Sequence, residues 1–184
     1  MYYGSGFVQG AEYAASQLKL KENEVTVRYD YLETNEISPS VMARAGQWYE
    51  DGCELIFAAG GAIPTAVIKA AEATGGKVIA SDVAQTSKQQ EVVTTAEKNV
   101  TDVVYNAIGG AYGDSFDGGK EEIMDLSNEG VGLSMEQSAF QSFTADEYNK
   151  IVSQIVEKEV EVKKEYVSAI NEEGGVAHLT LNFE

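Results

Sequence analysis

The chain has 184 residues, of which 30 are acidic and 13 basic, so its formal net charge at pH 7 is −17. This length and a hydrophobic content of 43% suit one packed domain, with two small ones as the alternative. The charge disfavours nucleic acids and anionic membrane surfaces as partners, since both require clustered lysine or arginine. A single cysteine excludes an intrachain disulfide, and a single histidine makes a histidine-based metal site improbable.

The first third of the sequence predicts a helix, a strand and a second helix. Small and apolar residues at helical spacing predict a helix over residues 5–20. The alternating, β-branched run at residues 25–32 predicts a strand. Ser38 and Pro39 supply an N-cap and a first-turn proline for a helix that ends at Gly52.

The next segment has the pattern of one strand–helix–strand unit, with small residues and an acid where the strands end. Its parts are a strand at residues 55–59, Gly60 with Gly61, a helix at 64–73, a strand at 78–80, and Ser81 with Asp82. In open α/β sheets the carboxyl ends of the strands are where small ligands bind. The pattern therefore predicts recognition of a small polar molecule at this edge of the sheet.

The remaining sequence predicts further alternation of strands and helices. The segments are a strand at 91–96, a helix at 100–112 with Val103, Val104, Ala107 and Ile108 facing inward, a strand near 122–126, a turn at 128–133, a helix from Thr144 to about 156 with a possible extension through 158–171, and a strand at 176–183. Strands that alternate with helices of this length imply parallel βαβ units. We therefore predict an α/β fold, a three-layer α/β/α lobe with a mainly parallel sheet.

The sequence contains no residue set typical of a familiar enzyme class. No Gly-x-Ser-x-Gly turn accompanies the lone His178, and no phosphate-binding glycine motif follows a strand. We therefore expect no catalytic residue, no metal ligand and no cofactor. A Mg²⁺-dependent carboxylate site stays open as an alternative, because acids at strand ends such as Asp82 can hold a metal together with waters.

Six short motifs follow one another along the chain. They are residues 6–11 (GFVQGA), 48–61 (WYEDGCELIFAAGG), 78–82 (VIASD), 95–100 (TAEKNV), 116–119 (FDGG) and 130–133 (GVGL). In this order they resemble the carboxyl-terminal half of the BMP family (basic membrane protein, or PnrA-like), the substrate-binding lipoproteins of ABC importers. The resemblance covers residues 3–165.

The resemblance implies the fold of a type I periplasmic binding protein, in which two α/β lobes close on the ligand. Residues 1–184 would form a single lobe, the carboxyl-terminal one. The amino-terminal lobe would either belong to a longer protein or be absent from a half-length relative. The resemblance also implies a nucleoside-like solute, an ABC permease as partner, and a lipoprotein anchored outside the cytoplasm.

The resemblance further implies which residues contact the ligand. The backbone N–H groups of Gly60 and Gly61 would approach a sugar hydroxyl closely, because glycine has no side chain in the way. Asp82 would accept hydrogen bonds from ribose hydroxyls. Lys98 and the aromatic ring of Tyr3 would complete the set on this chain.

Two positions depart from the family pattern. Where the family often has a phenylalanine that stacks on the base, this chain has residues 34–36, so that Asn35 or a neighbour would replace the ring. Where the family has a second aspartate, this chain has Ala84. Because a base–aromatic stack contributes on the order of 1–3 kcal/mol, a sugar-like or more polar solute is the alternative ligand.

The alternative to a solute-binding function is that of a non-catalytic module for protein–protein interaction or dimerisation. A lobe without its partner would expose apolar surface and a sheet edge, which pair readily with other chains. We expect the final strand at 176–183 to fill the vacated place in the sheet, either within the chain or in a homodimer.

Overall fold

The structure is a computed structural model that describes residues 3–32, 34–82, 89–113, 115–116, 118–172 and 175–184. In chain order its elements are α1 (Tyr3–Gln17), β1 (Val25–Tyr29), α2 (Pro39–Glu50), β2 (Leu55–Ala58), α3 (Ile63–Thr74), β3 (Lys77–Ser81), β4 (Val92–Lys98), α4 (Val100–Tyr112), a 3₁₀ turn (Leu126–Asn128), β5 (Val131–Leu133), α5 (Ala145–Val156), α6 (Val167–Glu172) and β6 (Leu179–Phe183). The fold is mixed α/β with mainly parallel strands, as predicted.

The chain divides into two compact units, each of which is described separately. The central unit comprises residues 37–160, and the terminal unit comprises residues up to 36 together with residues from 161 onward. That the whole chain corresponds to a single lobe of a larger protein stays a prediction. Within the described residues, no helix has the length and apolar character needed to cross a bilayer.

The terminal unit is built on a two-stranded parallel sheet. Strands β1 and β6 pair in register from Val25 opposite Leu179 to Tyr29 opposite Phe183. Val8 of α1 and Val167 of α6 pack with Leu179 into a fully buried cluster. The last strand therefore pairs within the chain, which is one of the two arrangements expected for it.

A polar contact joins α1 to the start of β6 in this unit. The Glu12 carboxylate accepts a hydrogen bond from the backbone N–H of His178 at 3.0 Å and lies 2.6 Å from the Nδ1 atom of the same residue. Burial acts to raise the pKa of Glu12, but the hydrogen bonds from His178 and from the Ala177 backbone outweigh it and lower that pKa. The ionised carboxylate is thus the form that the fold stabilises.

The central unit contains a four-stranded sheet in the order β2-β3-β4-β5. The first three strands are parallel, and β5 runs antiparallel to β4. Helix α3 packs against β2 and β3 and also against α2. The signals for α2 are confirmed, since the Ser38 side chain accepts from the Val41 N–H and Pro39 occupies the first turn.

One tyrosine fixes the end of α2 against the sheet. Tyr49 is buried, and its hydroxyl donates a hydrogen bond to the Lys77 carbonyl at 2.9 Å. Gly76 makes this packing possible, because a Cβ atom at that position would overlap with the Tyr49 ring. Burial raises the pKa of Tyr49, so the phenol remains a neutral donor.

The surface of α4 differs from the prediction. Its bounds are those predicted, but Val104 and Ile108 are 49% and 53% exposed, and no residue of the helix is buried. The expectation of an inward face over Val103, Val104, Ala107 and Ile108 is therefore wrong for this chain. In the part of the chain that the structure describes, α4 follows β4 through Asn99 without folding back over the sheet.

Two further segments depart from the prediction. The strand expected near 122–126 is absent: the chain there is irregular and enters the 3₁₀ turn, which the Asp125 and Asn128 side chains cap reciprocally. The segment expected to be a turn at 128–133 instead contributes β5. Helix α5 ends at Val156, and the extension considered for residues 158–171 is not formed, because α6 is a separate helix.

Candidate functional site

The carboxyl ends of three parallel strands meet at one edge of the central sheet. The turn Gly60–Gly61 follows β2, Ser81 and Asp82 end β3, and Lys98 ends β4. The strands are paired in parallel, so these ends lie side by side. This edge carries four of the six residues expected to contact ligand.

The glycine turn is joined directly to the end of β3. Gly60 and Gly61 have φ values of +118° and +46°, a conformation that glycine adopts without steric cost. The backbone N–H of Gly60 donates to the Ser81 hydroxyl at 3.3 Å, and Ser81 is completely buried. The turn is therefore held against the strand that presents Asp82.

Asp82 and Lys98 form an ion pair at the ends of neighbouring strands. The Lys98 Nζ atom lies 2.9 Å from Oδ2 of Asp82, and the side chains are 51% and 33% exposed, respectively. Asp82 has a φ of +56°, in the left-handed region that aspartate tolerates better than most residues, and its N–H donates to the Ala96 carbonyl. Such a half-exposed pair contributes about 0–1 kcal/mol, so a polar ligand can exchange with it at little cost.

A cavity of about 880 Å³ opens beside this ion pair, within the size range typical of small-molecule sites. Asp82 and Lys98 form one side, together with the start of α4, where the Asn99 side chain accepts from the Asp102 N–H. Strand β5 and one face of α5 form the other side, which is largely apolar. Gly60 and Gly61 are not among the residues that line the cavity.

Sequence reasoning did not identify Tyr148, which shapes the far wall of the cavity. The Tyr148 hydroxyl accepts a hydrogen bond from the Leu133 N–H at 3.1 Å. A Cβ atom on Gly132 would lie 3.2 Å from that hydroxyl, so the glycine lets α5 lie close to β5. The Gly-Val-Gly motif at 130–132 was the available signal, but its partner lies on a helix 16 residues further along.

The other two predicted ligand contacts belong to the terminal unit. Tyr3 is the first residue of α1 and is half-buried, whereas Asn35 is exposed in the segment after β1. Ala84 lies outside the described residues. Among the described residues, no group of three or more His, Cys, Asp or Glu side chains is arranged to hold a metal ion.

Comparison with known proteins gives a consistent result at two levels. A family model for PnrA-like ABC transporter substrate-binding proteins matches residues 3–166. A crystal structure of ABC transporter solute-binding proteins from Aeropyrum pernix K1 superposes with a TM-score of 0.66 at 19% identity, over 92% of this chain and 56% of that one. The chain thus spans about half the length of this structural neighbour, and no curated protein matches its sequence. On the extent of the family match, the chain belongs to the family of PnrA-like ABC transporter substrate-binding proteins.

Proposed function

We propose that the chain is a solute-binding part of an ABC importer and that its ligand is a nucleoside or a related polar small molecule. One observation carries this proposal: Asp82 and Lys98 meet at 2.9 Å where β3 and β4 end, beside a cavity of about 880 Å³. Membership of the family supports the solute-binding role. The similarity of fold to the solute-binding protein from Aeropyrum pernix K1 agrees with it.

The proposed contacts follow from the chemistry of the strand ends. The Asp82 carboxylate accepts hydrogen bonds from two ligand hydroxyls, and the Lys98 ammonium donates to an acceptor on the same ligand. The Gly60 N–H already donates to Ser81 and the glycine turn does not line the cavity, so of the two backbone N–H groups at Gly60 and Gly61 we propose that of Gly61 as the contact to the sugar. Tyr3 supplies a ring to pack on the ligand, and Asn35 replaces the stacking phenylalanine of the family.

The proposed cellular role is that of the family. The chain delivers its solute to an ABC permease, and the protein to which it belongs is anchored as a lipoprotein outside the cytoplasm. It has no catalytic activity and requires no cofactor. The net charge of −17 argues against a nucleic-acid ligand.

We expect the chain to bind its solute weakly when it is isolated from a second lobe. Small-molecule sites typically enclose about 70–90% of the ligand surface, and one wall supplies only part of that enclosure. The cost of immobilising the ligand stays nearly the same with one wall as with two. The binding free energy of the isolated chain is therefore much less than half of that of the two-lobed form.

A second candidate function is self-association through α4. Val100, Val104, Tyr105, Ile108 and Tyr112 are between 49% and 89% exposed on this helix. Asp102 is the single charged residue in α4, whereas the chain as a whole has a net charge of −17. Electrostatic repulsion between two copies is therefore weaker at this apolar surface than at the rest of the chain. A homodimer through α4 would bury these side chains.

Calorimetric titration with adenosine, guanosine, inosine and ribose tests the primary proposal, both on this chain and on a form that carries both lobes. We expect specific binding by the two-lobed form and no sub-micromolar binding by the chain alone. Absence of binding by the two-lobed form across this set would refute nucleoside recognition. Melting temperature measured with EDTA and with Mg²⁺ tests the enzyme alternative, since a metal-dependent enzyme responds and a solute-binding lobe does not.

A further inference from the structure

The terminal unit contains an aromatic pocket at the carboxyl ends of β1 and β6. Its volume is about 230 Å³, which is the share of roughly seven or eight waters of liquid at ~30 Å³ each. Four aromatic side chains line it together with one acid: Tyr29, Tyr31, Tyr166, Phe183 and Glu184. It shares no residue with the cavity beside Asp82 and Lys98.

Two of the rings are held in fixed positions by the fold. Tyr29 and Phe183 lie opposite each other in the parallel sheet, with ring centroids 6.0 Å apart and planes inclined at 60°. Gly4 of α1 lets the Tyr29 ring lie against the helix, because a Cβ atom there would overlap with that ring. Burial, with a smaller contribution from Tyr31, raises the pKa of Tyr29, so its phenol stays neutral.

The other side of the pocket presents aromatic surface to solvent. Tyr31 and Tyr166 are 65% and 69% exposed. Glu184 carries the formal charge among the residues that line the cavity, and its carboxylate also lies 3.7 Å from Nε of Arg28. A surface pair of this kind contributes little, so the carboxylate can serve a second cation.

The geometry distinguishes between two kinds of ligand that aromatic walls bind. A flat ring stacks best between parallel walls, whereas the 60° inclination of Tyr29 and Phe183 forms a wedge. A compact cation gains from several π faces at different angles and from a nearby carboxylate. The net charge of −17 further raises the local concentration of cations.

We propose that this aromatic pocket binds a quaternary ammonium group, which would lie against the Tyr29, Phe183 and Tyr166 rings with its charge near Glu184. The proposal does not depend on the solute-binding role proposed above, because none of the residues that line this pocket is among the proposed solute contacts. Its chemistry requires a positive charge on the ligand as well as methyl groups.

Titration with choline and with its neutral isostere 3,3-dimethylbutan-1-ol, followed by NMR of the intact chain, tests the charge requirement. We expect saturable choline binding and binding of the isostere that is about tenfold or more weaker, since loss of the charge removes cation–π attraction at several rings. Equal affinity for the two compounds, or no saturable choline binding, would overturn the proposal.

Matched variants test the position of the site. Tyr166→Leu should weaken choline binding about two- to fivefold, as expected for loss of one exposed cation–π contact. Tyr105→Leu changes a similarly exposed tyrosine in the central unit and should leave binding unchanged. Glu184→Gln should weaken binding, whereas Glu161→Gln, an equal change of net charge at another exposed acid of the terminal unit, should not. If either control matched its partner variant, the pocket would not be the site.

Two further titrations identify the source of the ammonium group. If the chain binds phosphatidylcholine vesicles and Tyr166→Leu weakens that binding, the ammonium group belongs to a lipid head group. Choline binding without vesicle binding would assign it to a free solute. Displacement of choline by adenine with higher affinity, again sensitive to Tyr166→Leu, would show a stacking site for flat rings and overturn the proposal.

Discussion

Replacement of Asp82 separates its proposed role in binding from its role in the fold. Asp82→Asn removes the charge but keeps a residue that tolerates the φ of +56°. The ion pair with Lys98 is half-exposed, so its loss should lower the free energy of unfolding by about 1 kcal/mol or less. Asp82→Ala should lower it by about 1 kcal/mol more, since alanine adopts left-handed backbone less readily.

The effect of these substitutions on affinity should be larger than their effect on stability. Loss of a charge-assisted hydrogen bond to a ligand hydroxyl costs on the order of 1.5–3 kcal/mol, or about 10- to 150-fold in affinity. Calorimetry on a two-lobed form measures the affinity, and urea unfolding of the same proteins measures stability. Asp146→Asn, an equal change of charge on α5, is the control. Unchanged affinity in Asp82→Asn would remove Asp82 from the site.

Three further outcomes are expected. Gly76→Ala should lower the free energy of unfolding by about 1–3 kcal/mol, because its Cβ atom would overlap with Tyr49. Gly46→Ala, at a helical position with open space around its Cβ, should raise it by about 0.5–1 kcal/mol. Equal melting temperatures for the two variants would contradict this packing. Because the pKa of Glu12 is lowered below its ordinary value of 4.5, its contribution to stability is present above that pH and is lost as the pH falls through the lowered pKa. Stability of Glu12→Gln should therefore fall less on acidification below pH 4.5, and parallel pH profiles for the two proteins would refute the role of the contact with His178. Light scattering at tens of micromolar should give a mass above the 19.8 kDa of one chain, and a uniform monomer would exclude self-association through α4.

Local signals predicted the helices well, because caps and periodicity act over a few residues. The bounds of α4 were predicted to the residue, and the Thr144 side chain caps α5 through the Glu147 N–H as expected. Hydrogen bonds from Thr144 lower the pKa of Glu147, which is consistent with this capping box. Whether the apolar face of α4 is buried depends on a partner that its own periodicity does not specify.

The errors concern contacts between distant residues. Strand β5 exists because Val131 and Leu133 pair with Lys98 and Ala96 across more than 30 residues, and its three residues carry too little pattern to predict it. The expected strand near 122–126 alternates weakly, and the cap formed by Asp125 replaces it with a turn.

The edge that carries the candidate site was predictable, but the pairing within it was not. Gly60, Gly61 and Asp82 follow apolar runs directly, so their place at strand ends follows from the sequence. The ion pair with Lys98 depends on the register of β3 and β4, which shifts between Val78 and Ile79. A one-residue change of register moves a side chain to the other face of a sheet, and no local signal specifies it.

The parallel pairing of β1 with β6 also determines when the terminal unit is able to fold during synthesis. Val25 pairs with Leu179, 154 positions later, and the whole central unit is encoded between them. At about 5–20 residues per second, β1 leaves the ribosome roughly 8–30 s before its partner strand does. The central unit has all its strands in that interval and can fold first, while β1 and the apolar side of α1 wait unpaired. Chaperones that bind extended apolar segments would therefore find a target in β1 and α1 during this interval.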